Sequence, residues 1–258
     1  MQSANQKEAG AKAPMSDAEK QTRIELAACY RLAAHYKMTD TIYTHISARV
    51  PNEPGHFLIN PYGFMWEEIT ASSLVKIDVD GNKIDASPHR VNPAGFTIHS
   101  AVHMGRHSAA WVMHTHTRSG FAVSCLEEGL LPLSQIALQY YSQVGYHDYE
   151  GIALDLDERG RIVDALGDNV ALILRNHGLL TVGETAGQMF SNMFYLNRAC
   201  EIQESTLSMG RPLKKIDDAI IKRVSEQFGQ MAYDDGDLLL EWDAQVRLAD
   251  RLDQGFRD

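Results

Sequence analysis

The sequence predicts a layered α/β fold on a mixed sheet, and three observations predict it. Short apolar or alternating segments that read as strands are interleaved with amphipathic helical segments. Some strands are joined by tight turns and others by helices, which mixes antiparallel with parallel pairing. No internal repeat and no Pro- or Ser-rich linker divides the chain. With 258 residues it can bury one sizeable core, so residues 17–258 are expected to form one domain after a polar, disordered tail over 1–16.

Taken in order, Ser16 or Asp17 caps a helix running to Lys37, with Ile24, Ala28 and Leu32 recurring every four residues on one face. Thr44 to Val50 alternates as a strand and ends at the turn cluster Pro51-Asn52-Glu53-Pro54-Gly55. Phe57 to Asn60 is a second strand, closed by Pro61-Tyr62-Gly63. Leu74 to Val79, the turn Asp80-Gly81-Asn82 and Lys83-Ile84 read as a hairpin. A helix follows Pro93, then a strand through Val112-Met113-His114, a helix over 118–127 and another over 132–142. An exposed strand at 143–147, a helix over 156–166 and strands at 170–175 and 179–182 come next. Long helices at 183–208, 217–230 and 238–252 close the chain.

The formal net charge is −10, from 34 acidic and 24 basic residues, with no run of Lys or Arg. That excludes a nonspecific grip on nucleic acid or anionic lipid, both of which need a cationic surface. No segment is apolar for the 18 or more residues of a membrane helix, and residues 1–15 lack the apolar core of a signal peptide. Cys29, Cys125 and Cys200 are widely spaced and odd in number, and are expected to be buried free thiols of a cytoplasmic protein.

The chemistry-bearing residues are histidines, of which there are 11. His114 and His116 end an apolar strand at a spacing of two, which puts both rings on one side, roughly 6–7 Å apart at Cα. His177 follows the apolar run Val170–Leu174 in Arg175-Asn176-His177-Gly178, at a strand end where α/β sheets place their sites. Three neutral imidazoles leave one tetrahedral position open, the pattern of a catalytic zinc site. Thr115, Thr117 and Asn176 could orient the rings. His99 and His103 are spaced as helical ligands, but Ser100-Ala101-Val102 between them lacks a zinc-protease glutamate, so they read as structural, with one ring expected near the site. His147-Asp148-Tyr149-Glu150 reads as a solvated loop. No nucleophile elbow, P-loop or dinucleotide fingerprint occurs.

Three segments together resemble the class II aldolase/adducin family: Ala94-Gly95-Phe96-Thr97-Ile98-His99-Ser100, His114-Thr115-His116-Thr117 and Arg175-Asn176-His177-Gly178-Leu179-Leu180. Leu238–Asp258, with Trp242, is similar to the adducin-like bacterial branch. The resemblance implies a three-layer α/β/α domain on a mixed, largely antiparallel sheet, and a homotetramer with active sites between subunits. It maps the family's metal ligands onto His114, His116 and His177, for zinc most often, with manganese, cobalt or iron(II) in relatives.

Departures from the family pattern bear on the substrate. Where sugar-phosphate aldolases carry a catalytic glutamate this chain has Gly95, and Pro93 and Ala94 stand at the two phosphate-binding serines. His45 replaces a phosphate-binding asparagine, and Asn60-Pro61-Tyr62-Gly63 replaces a Thr-Pro-Thr-Gly loop. The tyrosine that donates a proton across the subunit boundary falls near Ile136, with Gln135, Tyr140 and Tyr141 nearby. Decarboxylation reaches a metal-stabilised enolate without a base at carbon, so the expected activity is a metal-dependent carbon–carbon lyase on a non-phosphorylated oxo- or hydroxy-acid. Decarboxylation is placed ahead of aldol cleavage. Tyr140 and Tyr141 are the candidate proton donors; His45, Asn60, Gly63 and Gln135 are the candidate substrate contacts. The rival readings are a non-catalytic scaffold like the adducin head, which the resemblance implies would lack the metal histidines, and a non-haem iron oxygenase, for which no two-His-one-carboxylate set is evident.

Overall fold

The computed structural model describes residues 15–231 and 235–258; most of the expected tail, 1–14, lies outside them. Eight helices are described, α1 Asp17–His35, α2 Pro93–Gly105, α3 Arg118–Ser124, α4 Gln135–Leu138, α5 Glu158–Leu166, α6 Ala186–Ser208, α7 Asp218–Met231 and α8 Asp235–Leu252. Seven strands are described, β1 His45–Arg49, β2 His56–Ile59, β3 Val75–Asp78, β4 Trp111–Thr115, β5 Val144–His147, β6 Ala171–Leu174 and β7 Gly178–Gly183. They form one sheet in the order β3-β2-β1-β4-β7-β6-β5. Every pairing is antiparallel except β5 with β6, which are joined through α5 and run parallel.

Helices cover both faces, giving three α/β/α layers. On one face Ile46, Ala48, Met113, Ile173 and Leu179 pack against Leu26 and Tyr30 of α1 and Met189, Phe190 and Met193 of α6. On the other, Val112, Leu172, Leu174, Leu180 and Val182 pack against Ile98 and Val102 of α2 and Ile162 and Leu166 of α5. Because side chains alternate across a strand, His45 and Ser47 of β1 and His114 of β4 fall on the α2 face; the register pairs His45 directly with His114. No helix among the described residues is long and apolar enough to cross a membrane.

The structure departs from the sequence-based expectations in four places. The hairpin after β3 is reduced to a single bridge, Ile77 with Lys83, because the Asp78 carboxylate accepts from Asp80 N and Asn82 N and draws the chain into a tight turn. The helix expected over 132–142 is one turn, capped by Ser134 and followed by turns that reach Ser142 at φ +59°. Strand 143–147 is an edge strand with alternate residues buried rather than exposed. Cys29 and Cys200 are buried, whereas Cys125, at the C-terminus of α3, is exposed.

Where β2 has ended, the Tyr30 hydroxyl takes its place beside β1. It accepts from Ile46 N at 2.6 Å and shares its one hydrogen between Ile46 O at 2.5 Å and Asn60 Oδ1 at 2.9 Å. All of this is buried, so Tyr30→Phe leaves an amide unsatisfied next to His45. That substitution is expected to lower stability by about 1–3 kcal/mol, read from the urea midpoint at unchanged m-value.

Candidate metal centre

His114 lies on the last turn of pleat in β4, and His116 follows two residues later, just past the strand end. His177 arrives from the turn between β6 and β7. Its backbone N–H bonds to Leu174 O at 3.1 Å, and Asn176 takes φ +55°, a left-handed conformation that asparagine tolerates. Gly178 follows with φ +155°, and a Cβ there would collide with the Thr115 carbonyl oxygen. Glycine at this position lets the turn close onto β4 and delivers His177 to the other two rings.

The three imidazoles form the one group among the described residues whose donor atoms could hold a metal ion, all lying within 4.8 Å of one another. Ring centroids are 4.7 Å apart for His114 and His116, 4.8 Å for His114 and His177 and 5.0 Å for His116 and His177. His114 Nδ1 lies 3.0 Å from the Leu179 carbonyl and His116 Nδ1 lies 2.9 Å from Asp40 Oδ2. Both partners only accept, so each Nδ1 carries a proton, and each ring in its neutral, metal-binding form turns a bare Nε2 inward. Those two Nε2 atoms are 3.0 Å apart. Two lone pairs cannot hydrogen-bond each other; a cation between them resolves the contact, at the roughly 3.3 Å separation that tetrahedral zinc–nitrogen bonds impose. The donor set therefore fits a divalent ion that favours imidazole.

Burial keeps His114 and His177 in the ligand form. His114 is held well below the usual imidazole range, first by desolvation and then by His177 and His116. His177 is pushed down to about 4 by desolvation, then by His116 and His147.

Asp40, which sequence reasoning missed, comes from the loop between α1 and β1. A turn closed by Tyr43 N to Asp40 O at 2.9 Å, with Thr41 at φ +49°, brings its carboxylate onto His116. No spacing signal links residues 76 positions apart. Tyr149 was also missed as a site residue: it is 54% exposed, with its ring 6.4 Å from that of His177. The loop is anchored on each side, because His147 is buried against Glu158 at 3.0 Å and Glu150 pairs with Arg161.

The other predicted site residues are dispersed. His45 stacks on His114 with centroids 5.5 Å apart. Gly95, in the first turn of α2, lies against the His45 ring: a Cβ there would come within 2.5 Å of Cδ2 and 2.6 Å of Nε2. Asn60 is buried and bonded to Tyr30, and Gly63 is an open turn at φ +104°. Gln135 lines an apolar groove of about 800 Å³ between α4 and α7, whose lining includes none of the three histidines. Tyr140 is fully buried in the core of the α1/α6 face, its hydroxyl donating to Asn192 O at 2.8 Å. Tyr141 is 47% exposed and its carbonyl accepts from Ser225 of α7. His99 and His103 lie behind the cluster, both bonded to Ser47.

Comparison with known proteins matches residues 24–204 to the class II aldolase and adducin N-terminal domain. A Caulobacter vibrioides protein named for the aldolase class 2 group is 51% identical over 249 residues, 96% of each chain. Rat alpha-adducin is 47% identical over 198 residues, 75% of this chain and 27% of its own length. A solved aldolase II superfamily protein from Pseudomonas syringae superposes with a TM-score of 0.91 at 46% identity, covering 94% of this chain and 97% of its own.

Folded-state imidazoles that resist protonation make stability depend on pH. Between the ordinary value near 6.5 and the depressed one near 4 for His177, the unfolded chain binds more protons, so acid favours unfolding. Urea denaturation of the metal-free protein should show stability falling steadily as pH drops from 6.5 to 4 and levelling above 7.

Proposed function

Because the chain belongs to the class II aldolase and adducin family, we propose that it is a divalent-metal-dependent carbon–carbon lyase. The substrate class is a non-phosphorylated oxo- or hydroxy-acid, and decarboxylation is favoured over aldol cleavage. The observation that carries this reading is the pair of inward Nε2 atoms of His114 and His116 at 3.0 Å, with His177 beside them. When bound, a divalent ion there, zinc by preference for three nitrogens, supplies a Lewis acid that polarises a carbonyl oxygen.

The chain's own residues supply the rest. Leu179 O and Asp40 orient two ligand rings. Gly95 offers no base, and the volume a side chain would need there is filled by His45. Abstraction of a carbon-bound proton by a carboxylate on α2 is therefore disfavoured, and loss of carbon dioxide needs only a proton donor to the product carbon. Tyr149 is the phenol in ring contact with the cluster; Tyr141, being exposed, is available to a neighbouring subunit if the chain assembles as a homotetramer. Tyr140 would first have to release Asn192. Pro93 and Ala94 at the head of α2 bring no hydroxyl for a phosphate. Two buried, unpaired thiols suit a cytoplasmic setting.

The 47% identity to rat alpha-adducin favours a second reading, an oligomeric scaffold without chemistry. Elemental analysis decides between them: the lyase is expected to purify with one divalent ion per chain, lost in His114→Ala, and a protein with no affinity for metal is the scaffold. Asp40→Asn should weaken zinc about 10- to 100-fold in chelator competition, because the amide no longer fixes the His116 tautomer. A panel of 2-oxo- and hydroxy-acids assayed for carbon dioxide should show release by the metal-loaded protein; cleavage to an aldehyde without carbon dioxide would replace decarboxylation with aldol cleavage.

A further inference from the structure

A second group of histidines lies inside the fold, and its hydrogen bonds have a direction. Ser47 Oγ is 2.5 Å from His99 Nδ1 and 2.7 Å from His103 Nε2. A hydroxyl carries one hydrogen, so it donates to one ring and accepts N–H from the other. His103 Nδ1 is buried without a protein partner. In the direction that joins this chain to His45, His103 Nε2 accepts from Ser47 and Ser47 accepts from His99 Nδ1–H, which leaves His99 Nε2 a bare acceptor.

The opposite end sets that direction. Asn92 caps α2, its Oδ1 accepting from Ala94 N at 3.2 Å, which turns the amide nitrogen to His45 Nε2 at 3.4 Å. An amide NH2 only donates, so His45 Nε2 is bare and Nδ1 holds the proton. His45 Nδ1 and His99 Nε2 are both buried without a protein partner, on rings that meet edge to face with centroids 5.2 Å apart. One is a donor and the other an acceptor. Burial keeps the two inner rings neutral: His99 is held well below the ordinary range and His103 at about 3.

We propose that His45 is a substrate-positioning residue: it presents its Nε2 lone pair to a substrate hydroxyl in place of the long bond from Asn92, and one ordered water joins its Nδ1–H to His99 Nε2. The role assigned to substrate rests on the lyase reading above. The hydrogen-bonded chain His103–Ser47–His99 fixes the tautomer from inside, and Asn92 fixes it from the helix end. Gly95 belongs to the same device, because any side chain there would displace the ring edge that carries Nε2. The ligand chemistry selected is a hydroxyl next to a metal-chelating carboxylate or carbonyl.

The test is long-range 1H–15N correlation of the histidine rings in the full chain, metal-free and zinc-loaded, with glycolate as probe and acetate as the analogue lacking the hydroxyl. His45 and His99 are expected as Nδ1–H tautomers in both forms, and glycolate but not acetate should shift His45 Nε2. Ser47→Ala should release the His99 tautomer. His45→Ala should weaken glycolate about tenfold, the loss of one buried hydrogen bond, with one zinc still bound per chain. His45→Gln, whose amide oxygen reaches the Nε2 position, should recover most of that loss. An Nε2–H tautomer at His45, or equal glycolate affinity in wild type and His45→Ala, overturns the proposal. A wild-type chain that takes up no zinc would instead sink the lyase reading, while the metal-free spectra still decide the tautomers.

Discussion

The register of β4 between β1 and β7 is the constraint on which the site depends. It sets His114 opposite His45 on one side and Leu180 on the other, all on the face covered by α2 and α5. A slip of one residue would turn His114 into the apolar layer under α6 and bring Met113 to the imidazole cluster. The slip is blocked by Val112, Leu180 and Val182 on one face and Met113 and Leu179 on the other, which would all exchange environments together. Core packing and site geometry are therefore one property of the sheet. The centre sits at the strand end, where the ladder stops and the rings meet.

Burial then decides what the rings can do. Desolvation is the largest influence on His45, His99, His103, His114 and His177 alike, and it favours the neutral form of each. A neutral imidazole has one donor and one acceptor, so each partner selects which nitrogen is bare. Leu179 O and the Asp40 carboxylate direct two bare nitrogens outward to a shared point. In the proposed arrangement Ser47 and Asn92 direct two others along a chain behind it. The outer group asks for a cation and the inner one sets hydrogen-bond direction; the same side chain serves both because its tautomer is set locally.

Much of this was legible in the sequence. The apolar periodicities located the strands and long helices, and the two-residue spacing of His114 and His116 is a strand property that the structure retains. His177 was legible because a glycine follows it at the end of an apolar run. Asp40 was not, since its carboxylate reaches His116 only through the turn that closes Tyr43 onto Asp40. The i, i+4 pair His99 and His103 signalled a shared helix face, but the partner they share, Ser47, sits on a different element. The short α4 was overextended because Gln135–Tyr141 is apolar enough for a helix, whereas Tyr140 and Tyr141 are drawn into turns that place the first in the core and the second at the surface.

Gly95 connects the packing to the chemistry. Its missing side chain admits the His45 ring to a place beside the first turn of α2, so a carboxylate on α2 and an imidazole on β1 exclude each other there. The two groups differ in more than size. A carboxylate held near a cation carries charge and two acceptor oxygens, whereas the His45 ring, desolvated and neutral, offers one lone pair whose direction is already set. Such a site is poorly suited to drawing a proton from carbon and well suited to orienting a hydroxyl. On the proposed reading, neutrality of the second group also leaves the charge of a bound acid to be balanced by the metal ion alone, which favours a substrate that chelates through its own carboxylate. If the chain is the lyase proposed above, the exchange at one backbone position thus narrows both the reaction and the substrate.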